Sequence, residues 1–184
     1  MDVSERATVG GRALKVNFGC GKKLQEGWFN VDAVSREDAA PDLIYRMEFD
    51  ADNSLVEPIP LDDGCADEFM ALHVIEHFYA FQADAVVDEW KRVLKPGGKL
   101  ILELPNIELA ARNLLEGFPD QLSMWGLYGD PSHSDPYMCH RWGYTPRTIK
   151  HLLKMRGFVD IKVLLPETHM KRADRDMRVE AIKA

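Results

Sequence analysis

Two glycines, Gly19 and Gly21, follow the apolar segment Val16-Asn17-Phe18, and an aspartate, Asp32, closes the next one, Trp28-Phe29-Asn30-Val31. Glycines let the backbone approach a bound molecule without a Cβ in the way, and a carboxylate ending the next strand can accept from two ribose hydroxyls. The pair suits a nucleoside-bearing cofactor. A second cluster, His73-Val74-Ile75-Glu76-His77, has the H-x-x-E-H spacing of zinc peptidases, in which histidines four apart on a helix share a face. Here Phe69-Met70-Ala71-Leu72 runs into it as a strand, which puts His73 at a strand end. The third stretch, Tyr128 to Tyr144, carries His133, Asp135, Tyr137, His140 and Arg141 among Gly and Pro, a composition that suits a binding loop. Imidazole titrates near working pH, so His140 first and His133 second are the candidate general bases.

The elements that must position these residues alternate between strand and helix, the pattern of a mostly parallel sheet. Strands are expected over Leu14 to Phe18, Trp28 to Asp32, Leu43 to Arg46, Glu68 to Leu72 and Lys99 to Leu104. Val86, Trp90, Val93 and Leu94 recur on one helical face between Ala83 and Leu94, and Lys95-Pro96-Gly97-Gly98 stops that helix. Asn106 caps a helix that Gly117 ends, and Thr145-Pro146 opens another that stops at Gly157. Two strands close the chain, Phe158 to Leu165 and Arg178 to Ile182, and with no confident helix between them one must run antiparallel. Trp28 and Trp90 both read as core residues, and Cys20 as a small packing residue inside the glycine turn.

Length and composition allow one domain: 184 residues with 46% apolar content, read as a loose tail over 1–13 and a single domain over 14–184. A formal charge of −7 gives no electrostatic footprint for a phosphate backbone, so nucleic acid is a disfavoured partner. Cys20, Cys65 and Cys139 form no Cys-x-x-Cys pair, no segment is apolar for long enough to span a bilayer, and a cytoplasmic location is expected.

The segments Asn17-Phe18-Gly19-Cys20-Gly21, Gly27-Trp28-Phe29-Asn30-Val31-Asp32, His73-Val74-Ile75-Glu76-His77 and Arg92-Val93-Leu94-Lys95-Pro96-Gly97-Gly98 together resemble class I S-adenosylmethionine-dependent methyltransferases of the small methyltransferase-11 type. The resemblance spans roughly residues 14 to 165 and implies a doubly wound α/β fold. Its sheet would be Rossmann-like, mostly parallel and seven-stranded, with an antiparallel C-terminal strand and helices on both faces. It further implies S-adenosyl-L-methionine as cofactor. Phe18, Gly19, Cys20 and Gly21 would lie beneath its methionine part, Asp32 on the ribose, Met47 against adenine, and Leu72, His73 and His77 toward the sulfonium. Asn17 stands where the family usually has an acidic residue, and Lys23 where the fuller motif has a third glycine. No Pro-rich polar tetrapeptide follows the fourth strand as in amino-methylating DNA enzymes, so the implied acceptor is an oxygen or nitrogen of a small molecule or sugar. The implied metal content is none. The rival readings are a cofactor-binding module without transferase activity, a zinc hydrolase using His73, Glu76 and His77, and a NAD-binding oxidoreductase. The last would want a three-glycine turn with its acid about twenty residues further on.

Overall fold

A computed structural model describes residues 13–168 and 172–184; residues 1–12 of the expected tail lie outside the described residues. Seven strands form one sheet: β1 (Lys15–Phe18), β2 (Phe29–Asp32), β3 (Leu43–Ile44), β4 (Ala66–Leu72), β5 (Leu94–Pro105), β6 (Phe158–Leu164) and β7 (Asp176–Lys183). Their spatial order is β3-β2-β1-β4-β5-β7-β6, and β7 runs antiparallel to both its neighbours while the remaining pairs are parallel. The chain reverses its direction of travel across the sheet between β1 and β4, the switch point at which open α/β sheets form a crevice beyond their strand ends.

Side chains alternate across the pleat, so the register sorts the two faces. Val16 and Phe18 of β1 pair with Phe69 and Ala71 of β4, which pair in turn with Leu100 and Leu102 of β5 and then Ala181 and Val179 of β7. All eight are buried, and Trp90 of α1 (Ala83–Val93) packs on them, with ring centroids 6.0 Å from Phe18 and 5.7 Å from Phe69. Beside α1 lies α4 (Pro146–Met155), which buries Ile149 and Leu153 and is tied to α1 by Arg156 against Asp88 at 3.1 Å. The opposite face of the sheet carries the ion pairs Lys15–Glu68 at 2.7 Å and Lys99–Glu180 at 2.8 Å, and it also buries Asn17, Met70, Ile101 and Glu103. The links from β1 to β2, β2 to β3 and β3 to β4 contain turns and no helix among the described residues, being held by side chains. Asn17 and Asn30 perform that task for the first link. Asn30 accepts from Asn17 Nδ2 at 2.9 Å and from the amide of Gln25 at 2.8 Å, and Asn17 Nδ2 also reaches the carbonyl of Lys23.

The remaining elements follow the sequence reading closely. Asn106 caps α2 (Ile107–Leu115) by accepting from the amide of Glu108, and Thr145 forms a reciprocal cap with Thr148 at the start of α4. A short α3 (Met124–Tyr128) has no counterpart among the expected elements. Lys95-Pro96-Gly97-Gly98 ends α1 as expected but lies inside β5 as a bulge: Ala66 pairs with Leu94 and Glu68 with Lys99. Trp90 is fully buried, whereas Trp28 is half-buried under the Lys15 ammonium, 5.4 Å from the ring, on the charged face.

Candidate active site

A cleft of about 470 Å³ opens at the ends of β1, β2 and β4, within the size range of sites that enclose small molecules. At its floor, β1 turns through Gly19 at φ +70° and Gly21 at φ +55°. The amides of Gly19 and Cys20 both donate to the carbonyl of Val31, at 2.8 and 3.1 Å. A Cβ on Gly19 would sit 2.5 Å from Val74 Cγ2, so glycine there is set by the close approach of the loop after β4. At Gly21 a Cβ would meet nothing within 4 Å, which leaves the backbone open to a ligand.

Asp32 is fixed at the rim by three donors: the amide of Gly21 at 2.6 Å, the amide of Val34 at 3.0 Å and Arg36 Nη1 at 3.3 Å. Two carboxylate oxygens offer about four acceptor positions, so capacity remains for a ligand hydroxyl. Across the cleft, Arg46 lies over the Tyr137 ring at 4.2 Å and Arg141 approaches the same ring at 5.3 Å. These three residues close the upper wall, a cation–π stack between the link after β3 and the irregular stretch after α3.

Of the residues singled out in the sequence, Phe18, Gly19, Gly21, Asp32, Met47, His73 and His77 line this cleft; Cys20 and Leu72 do not. Cys20 is turned into the core, and its pKa is pushed up to about 11, first by burial and then by the nearby Asp32 charge. Leu72 pairs with Glu103 on the other face of the sheet from Ala71. The wall formed by Arg46, Tyr137 and Arg141 goes beyond the sequence reading. Its signal is the irregular composition of 128–144, but nothing local pairs that stretch with Arg46.

The H-x-x-E-H motif does not form one helix. His73 follows β4 at φ +54°, donates its amide to the Glu103 carbonyl at 2.7 Å, and points Nδ1 at Glu76 Oε1, 3.2 Å away. Glu76 and His77 belong to a single 3₁₀ turn, Ile75–His77. Burial alone would lower the His73 pKa, but the bond to Glu76 and the charges of Glu76 and Asp176 outweigh it and hold it above the usual value. Burial would likewise raise Glu76, and the His73 interaction outweighs it downward. The amides of Arg141 and Trp142 both donate to the Glu76 carbonyl, at 2.8 and 3.2 Å, and bring His140 against His77 with ring centroids 5.1 Å apart. Burial, the largest influence on His140, lowers its pKa. His133 sits on an exposed turn closed by its amide to the Asp130 carbonyl and does not line the cleft.

Residues 16–102 match the model of the methyltransferase-11 family, described as a methyltransferase domain. The match covers residues 16–102 of 184, and that segment is similar to the family's domain. The matched residues run from β1 into β5 and include the glycine turn, Asp32 and the 73–77 motif. No curated protein matches the sequence. Among solved structures the chain is similar to a SAM-dependent methyltransferase from Archaeoglobus fulgidus, at 15% identity and TM-score 0.55 over 94% of this chain and 87% of that one. It is similar to 1,6-didemethyltoxoflavin-N1-methyltransferase from Burkholderia thailandensis, at 14% identity and TM-score 0.54, with coverage of 99% and 76%. A third is magnesium protoporphyrin IX methyltransferase from Synechocystis, at 15% identity and TM-score 0.52, with coverage of 94% and 74%. These likenesses are of fold, and they match the Rossmann-like methyltransferase sheet expected from the sequence. The last two structures hold S-adenosylhomocysteine. The residues present suit that molecule: an open glycine turn, a carboxylate with acceptor capacity to spare, and apolar Met47 and Phe49 along one wall.

Proposed function

We propose that this protein transfers a methyl group from S-adenosyl-L-methionine to an oxygen or nitrogen of a small molecule or sugar. The observation that carries the reading is the cleft at the switch point, whose glycine turn is tied to Asp32 by the Gly21 amide. In this reading Phe18, Gly19 and Gly21 support the methionine part, Asp32 accepts from the ribose, and Met47 borders the adenine. His73 and His77 flank the sulfonium. Methyl transfer asks chiefly for alignment, since the carbon is already activated by positive sulfur and an acceptor held in line at about 3 Å supplies much of the acceleration.

The acceptor enters past Tyr137 and Arg141, and His140 is the residue of the 128–144 stretch that acts on it. His140 packs on His77, a residue of the cleft wall, without lining the cleft itself, whereas His133 sits on an exposed turn away from it. A net charge of −7 argues for a small acceptor over nucleic acid. Free thiols at Cys20, Cys65 and Cys139 suit a reducing, cytoplasmic setting, and no helix among the described residues is long and apolar enough to cross a membrane. Calorimetry with S-adenosylhomocysteine and a labelled-methyl screen across sugars, phenols and small amines test the reading. Binding lost in Asp32→Ala, with label transferred to at least one acceptor, is the expected result. Binding with no transfer across the screen would favour a cofactor-binding module, and no binding at all would overturn the proposal.

A further inference from the structure

Beside the cofactor cleft, Glu76, His77 and His140 each offer a ligand atom, and these atoms lie within 4.8 Å of one another. The surroundings prepare all three. The His77 Nδ1 lies 3.2 Å from the Cys139 carbonyl and the His140 Nδ1 lies 3.2 Å from the Gly126 carbonyl. A carbonyl can only accept, so each Nδ1 carries a proton, and Nε2 is the ring nitrogen left to meet a cation. Backbone carbonyls that fix the tautomer in this way are the usual outer support of metal-binding histidines. Glu76 is 1% exposed, its Oε1 is held by His73, and its Oε2 is buried with no hydrogen-bond partner. A buried carboxylate oxygen without a partner is costly unless something positive meets it. The backbone arranges the convergence before any ligand arrives, since the Arg141 and Trp142 amides dock on the Glu76 carbonyl and carry His140 with them.

We infer that Glu76, His77 and His140 form a binding site for one divalent cation of the zinc and cobalt class. Two imidazoles and one carboxylate are the donor set of open zinc sites, and imidazole favours these ions over magnesium or calcium. This site differs from the zinc arrangement that the H-x-x-E-H spacing suggests. His73 is drawn off toward Glu76 and Asp176, and His140, distant in sequence, takes its place. Because His77 also lines the cleft, a cation held by these three residues would border it. Its role there rests on the methyltransferase reading: a coordinated acceptor hydroxyl loses its proton to solvent more readily. The acceptor oxygen then forms a bond to the methyl carbon as the carbon–sulfur bond breaks, its electron pair passing to sulfur to give S-adenosylhomocysteine. In this arrangement His140 is a ligand and needs no base function, and the favoured acceptors are hydroxyls.

The test is equilibrium dialysis and visible absorption with Co²⁺ on the full chain after treatment with a chelator, with Zn²⁺ as competitor. The expected result is one Co²⁺ per chain with ligand-field bands that Zn²⁺ abolishes. Binding should weaken about tenfold or more in His140→Ala and in Glu76→Gln, the size of effect typical of a disturbed metal site, and stay unchanged in His151→Ala, an exposed histidine of α4. Circular dichroism and S-adenosylhomocysteine affinity are read on the same samples. His77→Gln, which keeps a polar side chain at the turn, replaces any variant that fails to fold. No bound Co²⁺, or equal uptake by the unaltered chain and folded His140→Ala, overturns the site. A chain that binds S-adenosylhomocysteine but no Co²⁺ loses the cation site alone, whereas one that binds Co²⁺ and no S-adenosylhomocysteine loses the methyltransferase reading and keeps the site.

Discussion

The amide of Gly21 donates to Asp32 Oδ2 at 2.6 Å, so the bend after β1 and the tip of β2 are one unit. A residue expected to serve a ligand also holds the loop that cradles that ligand. Asp32→Ala should therefore have two effects: S-adenosylhomocysteine binding weakened by about 1 to 3 kcal/mol and a lower melting temperature, because the Gly21 and Val34 amides lose their acceptor. Asp32→Asn, which keeps an acceptor oxygen, should recover more of the stability than of the affinity. Calorimetry and thermal unfolding of both variants check this. Unaltered affinity in Asp32→Ala would remove Asp32 from the site.

Gly19 and Gly21 share a backbone conformation but not an environment. Both have positive φ, yet only at Gly19 would a methyl group collide, with Val74 Cγ2 at 2.5 Å. Gly19→Ala should cost about 2 to 4 kcal/mol by combining left-handed strain with overpacking, and Gly21→Ala about 1 to 2 kcal/mol from strain alone. Val74→Ala should restore part of the loss in Gly19→Ala and none in Gly21→Ala. Denaturant unfolding of the unaltered chain, the three single variants and the two double variants measures this, and equal costs at the two glycines would contradict the geometry.

These two positions show what could be read in the chain before its fold. Glycine spacing, the aspartate and the apolar periodicities are local signals, and they place β1, β2, α1, α4 and the cleft floor. Which glycine is pinned depends on Val74, 55 positions further on, and no local pattern carries that. The same holds for Arg46 with Tyr137 and for His140 beside Glu76, contacts made by tertiary closure of an irregular stretch. The H-x-x-E-H spacing assumes a helical period, and β4 running up to His73 removes it. On the second face Lys15, Glu68, Lys99 and Glu180 stand beside the buried Asn17, Met70 and Ile101, a mixture that the alternation in the sequence only partly shows.

The Arg92-to-Gly98 motif points to the family by sequence, and its arginine turns out to be structural. Arg92 forks onto Glu89 with bonds of 2.8 and 2.7 Å, reaches Asp63 at 2.6 Å, and donates to the carbonyls of Ile59 and Leu61. Glu89 is nearly buried and also accepts from the Ile59 amide at 2.6 Å, so α1 is clamped to the link before β4. Arg92→Ala strands the Glu89 charge and should cost about 3 kcal/mol, and Arg92→Lys, lacking the planar fork, should recover less than half of it. Combining Arg92→Ala with Glu89→Gln should cost less than the two single losses added together. Urea unfolding gives these values. A loss below about 1 kcal/mol in Arg92→Ala would show the clamp to be solvent-weakened like an ordinary surface pair.

Cys20 gives the fold a pH dependence of known sign. Burial, and after it the Asp32 charge, lifts its thiol from 9.0 to about 11, so the folded chain resists forming the thiolate more than the unfolded chain does. A raised acid pKa contributes stability that is whole below the unfolded value and lost as pH rises through the folded one. Between pH 9 and 11 the unaltered chain should lose roughly 2 kcal/mol more than Cys20→Ala, since each tenfold weakening of the acid is worth about 1.4 kcal/mol. Other groups titrate over that range in both proteins and cancel in the difference. Labelling supplies an independent reading: at pH 8 the exposed Cys139 should react with a thiol reagent in the native state, and Cys20 only after unfolding. Parallel stability curves for the two proteins, or early modification of Cys20, would mean that the thiol meets solvent and that the glycine turn opens more readily than its hydrogen bonds to Val31 imply.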